Sequence, residues 1–331
     1  MRGDQRAGRK SGPSLPDLPR LTLRQDNTNY GTSNMTIRFD NRVAIVTGAG
    51  NGLGKAYALE LARLGAKVVV NDLGGARDGT GSSGTAAQQV VDEIGALGGE
   101  AIASVCSVTD ETGVAAMVAE AKAKWGRVDI LINNAGILRD KSFAKMTIAE
   151  FRQVVEVHLM GSAIVTKAVW DLMREQGYGR ILMTTSATGL YGNFGQSNYG
   201  AAKLGLVGFM NSLAAEGAKY NVHVNTIAPA AATRMTEDVL PAELLAKMGP
   251  ETVAPAALFL VSEKAPNKVT LAAGAGGFER AYITMTRGIQ VDAGAMAADT
   301  VAARFEAISD RAGELIPDGA FAQSAVALGQ I

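Results

Sequence analysis

Val43-Ala44-Ile45-Val46-Thr47 runs directly into Gly48-Ala49-Gly50-Asn51-Gly52-Leu53-Gly54 in a chain of 331 residues. An unbroken apolar and β-branched run of that length is the pattern of a strand buried on both faces of a parallel sheet. A glycine-rich turn follows, and Lys55 to Leu64 reads as a helix with one apolar face, closed by Gly65. Strand, glycine-rich turn and helix in that order form the first unit of a dinucleotide-binding fold. Glycines let the backbone approach a pyrophosphate, which the helix N-terminus then holds. Gly48, Asn51, Gly52, Leu53 and Gly54 are therefore candidate cofactor residues.

The same alternation continues downstream. A second strand, Lys67 to Asn71, ends at Asp72. A carboxylate there accepts hydrogen bonds from both ribose hydroxyls of NAD and repels the extra phosphate of NADP. The bland alternative is a turn or cap aspartate. Gly74 to Gly84 reads as a flexible loop, followed by a helix from Thr85 to Leu97 and a strand from Ala101 to Val105. Ser107 and Val108 then stand where an adenine ring would lie. A helix from Glu111 to Trp125 and a strand from Asp129 to Ile132 lead to Asn133-Asn134-Ala135-Gly136. Thr147 to Met173 is helical with an interruption at Gly161, and it contains His158. A strand from Arg180 to Thr185, a glycine-rich loop, a helix from Ser197 to about Lys219 and a strand from Val222 to Ile227 complete the series. Alternating strands and helices imply an α/β protein with a doubly wound parallel sheet of the Rossmann type. The domain boundaries expected are 39–290 for this unit, with 291–331 as an Ala-rich helical extension.

The chemistry concentrates between Ser186 and Lys203. Tyr199 and Lys203 are four apart, one turn from each other on a helix face. A phenol titrates near about 10 unperturbed, so it is a poor acid or base at neutral pH. A neighbouring ammonium favours the phenolate. Ser186, 13 residues before Tyr199, adds a hydroxyl able to hold a substrate oxygen. These are the parts for moving a proton on and off an alcohol or carbonyl. A lone Tyr-x-x-x-Lys is usually a surface pair, but the Ser/Tyr/Lys spacing is far more specific. For His158 the default reading is a satisfied core residue.

Composition bounds the alternatives. Lys plus Arg and Asp plus Glu are both 32, so the net charge is zero and no nucleic-acid footprint or polybasic membrane patch is expected. One cysteine, Cys106, excludes an internal disulfide framework and fits a reducing, cytoplasmic setting. With two histidines and one cysteine, no His/Cys metal site is expected. No apolar run reaches the ~18 residues that a membrane span requires. Residues 1–38 carry Pro13, Pro16 and Pro19 with no apolar period, and read as a disordered tail. Arg2, Arg6, Arg9, Lys10, Arg20 and Arg24 suit a transit peptide, but Asp4, Asp17, Asp26 and the prolines spoil a basic amphipathic helix. Met35 as the true initiator is a third reading.

At these positions the chain resembles the short-chain dehydrogenase/reductase family. Thr47 to Gly54 has that family's TGxxxGxG form, Asn133 to Gly136 its NNAG, and Ser186, Tyr199 and Lys203 its catalytic set. The likeness covers about residues 42–240. Within the family the wording is similar to the (3R)-hydroxyacyl-CoA dehydrogenase units of peroxisomal multifunctional enzymes. It extends through Asn71 to Gly75, Asn133 to Asp140, Gly189 to Gln196 and Arg234 to Thr236. Their hydratase and sterol-carrier units have no counterpart here, so a stand-alone dehydrogenase is expected. His158 stands where the broad family usually has Asn; the nearer relatives also have His, which makes it a candidate catalytic residue. Leu271 to Phe278 replaces the broad family's VDGG-type ending, which weighs against an acyl-carrier-protein reductase.

The resemblance implies hydride transfer between a secondary alcohol or ketone and NAD. Tyr199 would handle the substrate proton, Lys203 would lower its pKa and bind the nicotinamide ribose, and Ser186 would hold the substrate oxygen. Asn134, Ala135 and Gly136 would floor the cofactor site, with Ala231, Ala232 and Thr233 as further contacts. A small-molecule acyl-CoA thioester is the expected substrate, with Arg139, Lys141 and Lys145 facing its phosphates and 239–248 its acyl chain. The assembly expected is a homodimer or homotetramer, its contacts or its cleft covered by the 291–331 extension. The rival readings are a hydrophobic-alcohol or steroid dehydrogenase and a catalytically silent dinucleotide-binding scaffold. The intact Ser/Tyr/Lys set argues against the scaffold.

Overall fold

The computed structural model describes residues 37–76, 78–231 and 242–330. Nearly all of the 1–38 tail, the candidates Ala232 and Thr233, and the start of the 239–248 flap lie outside the described residues.

β1 (Val43–Thr47) is buried at every residue, and its two faces feed two different cores. Ala44 and Val46 pack with α1 (Gly52–Arg63), α2 (Thr85–Ala96) and α9 (Ala254–Leu260). Val43 and Ile45 pack on the other side with α3 (Glu111–Trp125), α5 (Gly161–Gln176) and α7 (Ser197–Gly217). Successive strand side chains alternate faces, so a strand apolar at every position needs helices on both sides. β2 (Lys67–Asn71), β3 (Glu100–Ser104), β4 (Ile130–Asn133), β5 (Gly179–Thr184), β6 (Val222–Pro229) and β7 (Thr270–Gly274) join β1 in parallel. The order is β3-β2-β1-β4-β5-β6-β7-β8, so the winding reverses between β1 and β4. Ligands of open α/β sheets bind outside the strands' carboxyl ends at such a reversal.

The expected doubly wound parallel sheet is present with an antiparallel strand added at its edge, and three other expectations need correction. β8 (Gly277–Ala281) pairs antiparallel with β7. Its cause lies in the Leu271–Phe278 stretch, where Ala275 (φ 50°) and Gly276 (φ 85°) form the two-residue turn between Gly274 and Gly277. Two consecutive positive φ values give the turn whose twist matches antiparallel strands. The loop after Ser186 contains a short helix, α6 (Ala187–Tyr191), capped by the Ser186 hydroxyl. The helical break is not at Gly161, which keeps helical dihedrals (φ −57°, ψ −44°). It is a π-helical turn, Glu156–Met160, inserted between α4 (Ile148–Val155) and α5. Finally, 291–331 is not a continuous helix. α10 (Ala298–Ala303), α11 (Phe305–Ile308) and α12 (Ala320–Ala327) are short pieces, and no residue described beyond Ala281 is buried. Gly313, Pro317 and Gly319 separate the later two pieces, since neither residue type sustains a helix interior.

The end of the sheet away from the site is held by Asp129, which is completely buried. Its carboxylate accepts from Val43 N–H (2.9 Å), Arg42 (3.1 Å) and Arg127 (2.7 and 2.5 Å). The Arg42 and Arg180 guanidiniums both lie over the Tyr178 ring, at 3.6 and 4.3 Å from its centroid. Removing the carboxylate strands a buried N–H and takes a partner from both Arg42 and Arg127. Asp129→Ala should therefore lower stability by about 3 kcal/mol in urea unfolding at neutral pH. Glu263→Ala removes only the exposed partner of Arg42 and should cost under ~1 kcal/mol. Equal losses would mean that the buried carboxylate carries no special weight.

Candidate active site

Thr47, the last residue of β1, organises the crevice. Its hydroxyl accepts the N–H groups of Asn134 (3.0 Å) and Ala135 (3.1 Å), while the Asn134 amide donates to the Thr47 and Gly48 carbonyls at 3.0 Å each. The glycine-rich turn is thereby stitched to the loop after β4. The start of α1 crosses so close that a Cβ at Gly54 would lie 2.2 Å from the Gly48 carbonyl oxygen. Asp72, just past β2, accepts from Gly50 N–H and Gly74 N–H, both at 2.7 Å, which ties its carboxylate to the same turn.

These elements enclose a cavity of about 430 Å³. It is lined by Gly48, Asn51, Gly52 and Leu53 at the turn, Asp72 after β2, Ser107 and Val108 after β3, and Asn134, Ala135 and Gly136 after β4. Open backbone at a helix N-terminus, a carboxylate beside it and a cleft between loops suit a dinucleotide in kind and in placement. The 73–84 loop is more built than its composition suggests. Ser83 N–H bonds to Leu73 O (2.9 Å) and Ala76 N–H to Thr80 O (2.8 Å). Gly75, Ala76 and Gly79 thereby become part of the cavity wall.

Beyond Gly136, outside the cavity lining, His158 links that wall to Tyr199 and Lys203. A Cβ on Gly136 would stand 2.2 Å from His158 Cε1, so only glycine lets the ring pack there. The imidazole is buried, with Nε2 at the backbone of Ile137 (2.8 Å to O, 3.1 Å to N) and no partner for Nδ1. Burial, with the Lys203 charge adding to it, pushes its pKa well below the histidine range, so the ring is neutral. It meets the Tyr199 ring edge-on, centroids 5.1 Å apart at 89°. Ser186 sits at the end of β5, and its oxygen accepts Thr188 N–H at 3.1 Å. Its O–H is left to donate to the Tyr199 phenol, which lowers the phenol's pKa.

Lys203 departs from expectation. Its ammonium is buried, donates to Thr184 O at 2.6 Å, and lies 5.5 Å from the Tyr199 ring centroid. Burial pushes Lys203 down to about 7. Burial, helped by the Asp140 charge, pushes the Tyr199 phenol up to about 12. The expected lowering of the phenol by Lys203 is thus outweighed by desolvation of both groups, because a charge removed from water costs more than a neighbour at this distance returns.

The chain matches the short chain dehydrogenase family over residues 42–244, more than half its length. It belongs to that family. The dehydrogenase is 50% identical to a short-chain type dehydrogenase/reductase of Mycobacterium tuberculosis over 83% of this chain and 96% of the relative. It is 55% identical to the peroxisomal hydratase-dehydrogenase-epimerase of Saccharomyces cerevisiae over 72% of this chain but only 27% of that protein. Its backbone superposes on the full-length peroxisomal multifunctional enzyme type 2 of Drosophila melanogaster with a TM-score of 0.74 and 36% identity, covering 89% of this chain and 50% of that one. A 7α-hydroxysteroid dehydrogenase complexed with NADH and a 7-oxo bile acid gives 0.65 at 35% identity, covering 72% and 95%.

The cavity brings together ten of the expected cofactor residues, whereas Gly54, Tyr199, Lys203 and Ala231 lie outside its lining. Ile137, Gln153, Glu156 and Val157 also line it, and no sequence signal marked them. Of the cations assigned to a substrate head, Lys141 is committed to Glu150 at 2.5 Å. That pair and the Thr147 cap hold the Glu150 carboxyl at about 2. Arg139 keeps a buried Nε without a partner, and Lys145 is exposed.

Lys203 makes the dehydrogenase's stability depend on pH with a definite sign. Between about 7 and its ordinary value of 10.5 the unfolded chain holds a proton that the native state has released. Stability therefore rises with pH through that window, and the penalty is complete below it. Lys203→Met removes the titration, so urea midpoints should favour the variant more at pH 7 than near pH ~10. A difference that stays constant with pH would mean that the ammonium is not desolvated.

Proposed function

We propose that this dehydrogenase oxidises the hydroxyl of (3R)-3-hydroxyacyl-CoA to the 3-oxo thioester with NAD, reversibly. The reading is carried by the 55% identity to the yeast hydratase-dehydrogenase-epimerase over 241 residues, together with the resemblance of Gly189 to Gln196 and Asn133 to Asp140 to the peroxisomal enzymes. Asp72 supports NAD over NADP. Its carboxylate is fixed at the cavity wall by two N–H donors, where a 2′-phosphate would meet like charge. A reducing cytoplasmic setting and a homodimer or homotetramer complete the proposal.

When bound, NAD supplies the hydride acceptor. The chain supplies position and proton handling. The glycine turn and α1 N-terminus would hold the pyrophosphate, Asp72 the adenosine ribose, Ser107 and Val108 the adenine, and Asn134 to Gly136 the inner face. Ser186, its lone pair taken by Thr188 N–H, donates to the substrate oxygen and orients it. Tyr199, as phenolate, takes the hydroxyl proton. Its phenol is costly to ionise in this buried setting, so the positive charge of Lys203 must stabilise the phenolate while the Ser186 O–H is engaged with the substrate oxygen. His158, neutral and anchored by its Nε2–H on the Ile137 carbonyl, holds the ring of Tyr199 and relays no proton. Arg139 and Lys145 are the cations left for the CoA phosphates.

The test is a substrate panel followed by NADH absorbance. The 3R ester should be oxidised, the 3S ester barely, and the free hydroxy acid weakly for want of the CoA head. Equal rates for 3R and 3S, or a preference for bile-acid or steroid alcohols, would sink the assignment in favour of a hydrophobic-alcohol dehydrogenase.

Cofactor choice has its own test. Wild-type enzyme should prefer NAD, and Asp72→Ala should narrow that preference by removing repulsion of the 2′-phosphate. Better turnover with NADP than with NAD in the wild type would contradict this reading of Asp72.

A further inference from the structure

Asn198 precedes Tyr199 and has no place in the Ser186/Tyr199/Lys203 set, yet its side chain is wholly enclosed. Its amide nitrogen donates to the Arg139 carbonyl at 3.1 Å, and its amide oxygen accepts the Tyr199 N–H at 2.7 Å. The two partners settle the amide's orientation, because a backbone N–H can only donate and a carbonyl can only accept. The first-turn N–H groups of a helix lack intrahelical acceptors. Gln196, at the start of α7, provides no side-chain cap, so Asn198 satisfies one such group from within the turn.

The same loop supports Tyr199 a second time. Ile137 anchors His158, whose ring stands edge-on to the Tyr199 ring. Tyr199 is therefore held through its backbone by Asn198 and through its ring by His158, and both supports stand on Ile137–Arg139. Two further bonds tie the loop to the start of α7: Lys141 N–H to Gly195 O at 2.9 Å, and Gln196 Nε2 to Asp140 at 2.7 Å.

We infer that Asn198 is a positioning residue for the reaction, holding the Tyr199 hydroxyl in register with Ser186 by clamping the first turn of α7 to the loop after β4. The inference rests on the proton-transfer role proposed for Tyr199. Only a side chain with one donor and one acceptor in this shape makes both bonds. Alanine makes neither, and an ionised aspartate keeps the acceptor but turns a charge on the Arg139 carbonyl. A protonated aspartic acid regains a donor and an acceptor in nearly the amide's shape. Burial favours that neutral form.

The test compares wild type, Asn198→Ala, Asn198→Asp and Tyr199→Phe on whichever secondary alcohol the wild type oxidises fastest, with NADH binding followed by fluorescence. Asn198→Ala should bind NADH as the wild type does and keep its KM. Its kcat should fall on the order of 10- to 100-fold, the scale of a misplacement near 1 Å. For Asn198→Asp, the ratio of its kcat to wild type should rise as pH falls from about 9 to about 6, when the introduced carboxyl protonates. His158, Tyr199, Lys203, Arg139 and Asp140 surround the clamp in both proteins, so the ratio isolates the new group.

Wild-type kcat in Asn198→Ala would overturn the inference, as would a loss matched by weaker NADH binding. Where Asn198→Ala does not fold, the Asn198→Asp ratio decides, and a ratio flat with pH overturns the clamp. An active Tyr199→Phe would remove the proton-transfer reading and this inference together. An inactive Tyr199→Phe beside a fully active Asn198→Ala would remove this inference alone.

Discussion

A single hydroxyl at the point where the sheet reverses direction underlies the site. β1 and β4 are neighbours, but the chain leaves them toward opposite faces, and the carboxyl ends of two parallel strands expose unpaired backbone groups there. Thr47 and Asn134 resolve this by bonding to each other's backbone, which closes the gap without filling it. The glycine turn and the loop after β4 become one rigid lip. The cavity opens beside that lip, and the Gly136 contact with His158 extends the same rigidity to Tyr199.

The proton-handling residues share one physical cost. Tyr199 and Lys203 are both taken out of water, and desolvation drives each toward its neutral form: the phenol up, the ammonium down. The arrangement is thus poised rather than charged. A buried lysine near neutrality changes charge with small changes around it, which suits the role proposed for Lys203 beside Tyr199. The folded state carries this as a stability penalty at neutral pH, offset at the far end of the sheet. There Asp129 gathers two arginines and a backbone N–H, and Tyr178 underlies two guanidiniums.

Much of this was legible without coordinates, for identifiable reasons. The β1 run and the glycine turn are local: side chains apolar at every position require two cores, and tight turns beside a helix require glycine. Tyr199 and Lys203 share a helix face by spacing alone. Asp72, Ser107 and Asn134 could be placed because each ends a strand, and the strands were marked by their own composition. The π-helical turn at Glu156–Met160 was not legible, because it leaves no residue preference distinguishable from an α-helix. Nor was the fragmentation of the 291–331 extension, where a high alanine content outweighed its scattered glycines and proline in the reading.

The sequence by itself determined the strand series, the doubly wound sheet and the glycine turn, and it nominated Ser186, Tyr199 and Lys203, since each follows from short-range pattern. Only the tertiary structure decided how those groups ionise. Burial is a property of everything packed around a residue, and it pushes the Tyr199 phenol up despite the neighbouring Lys203. It likewise decided that Lys141 is spent on Glu150, that the 73–84 loop forms a wall, and that Asn198 reaches across 59 positions of chain to Arg139. Those contacts join segments far apart in sequence, and no periodicity within either segment encodes the distance between them.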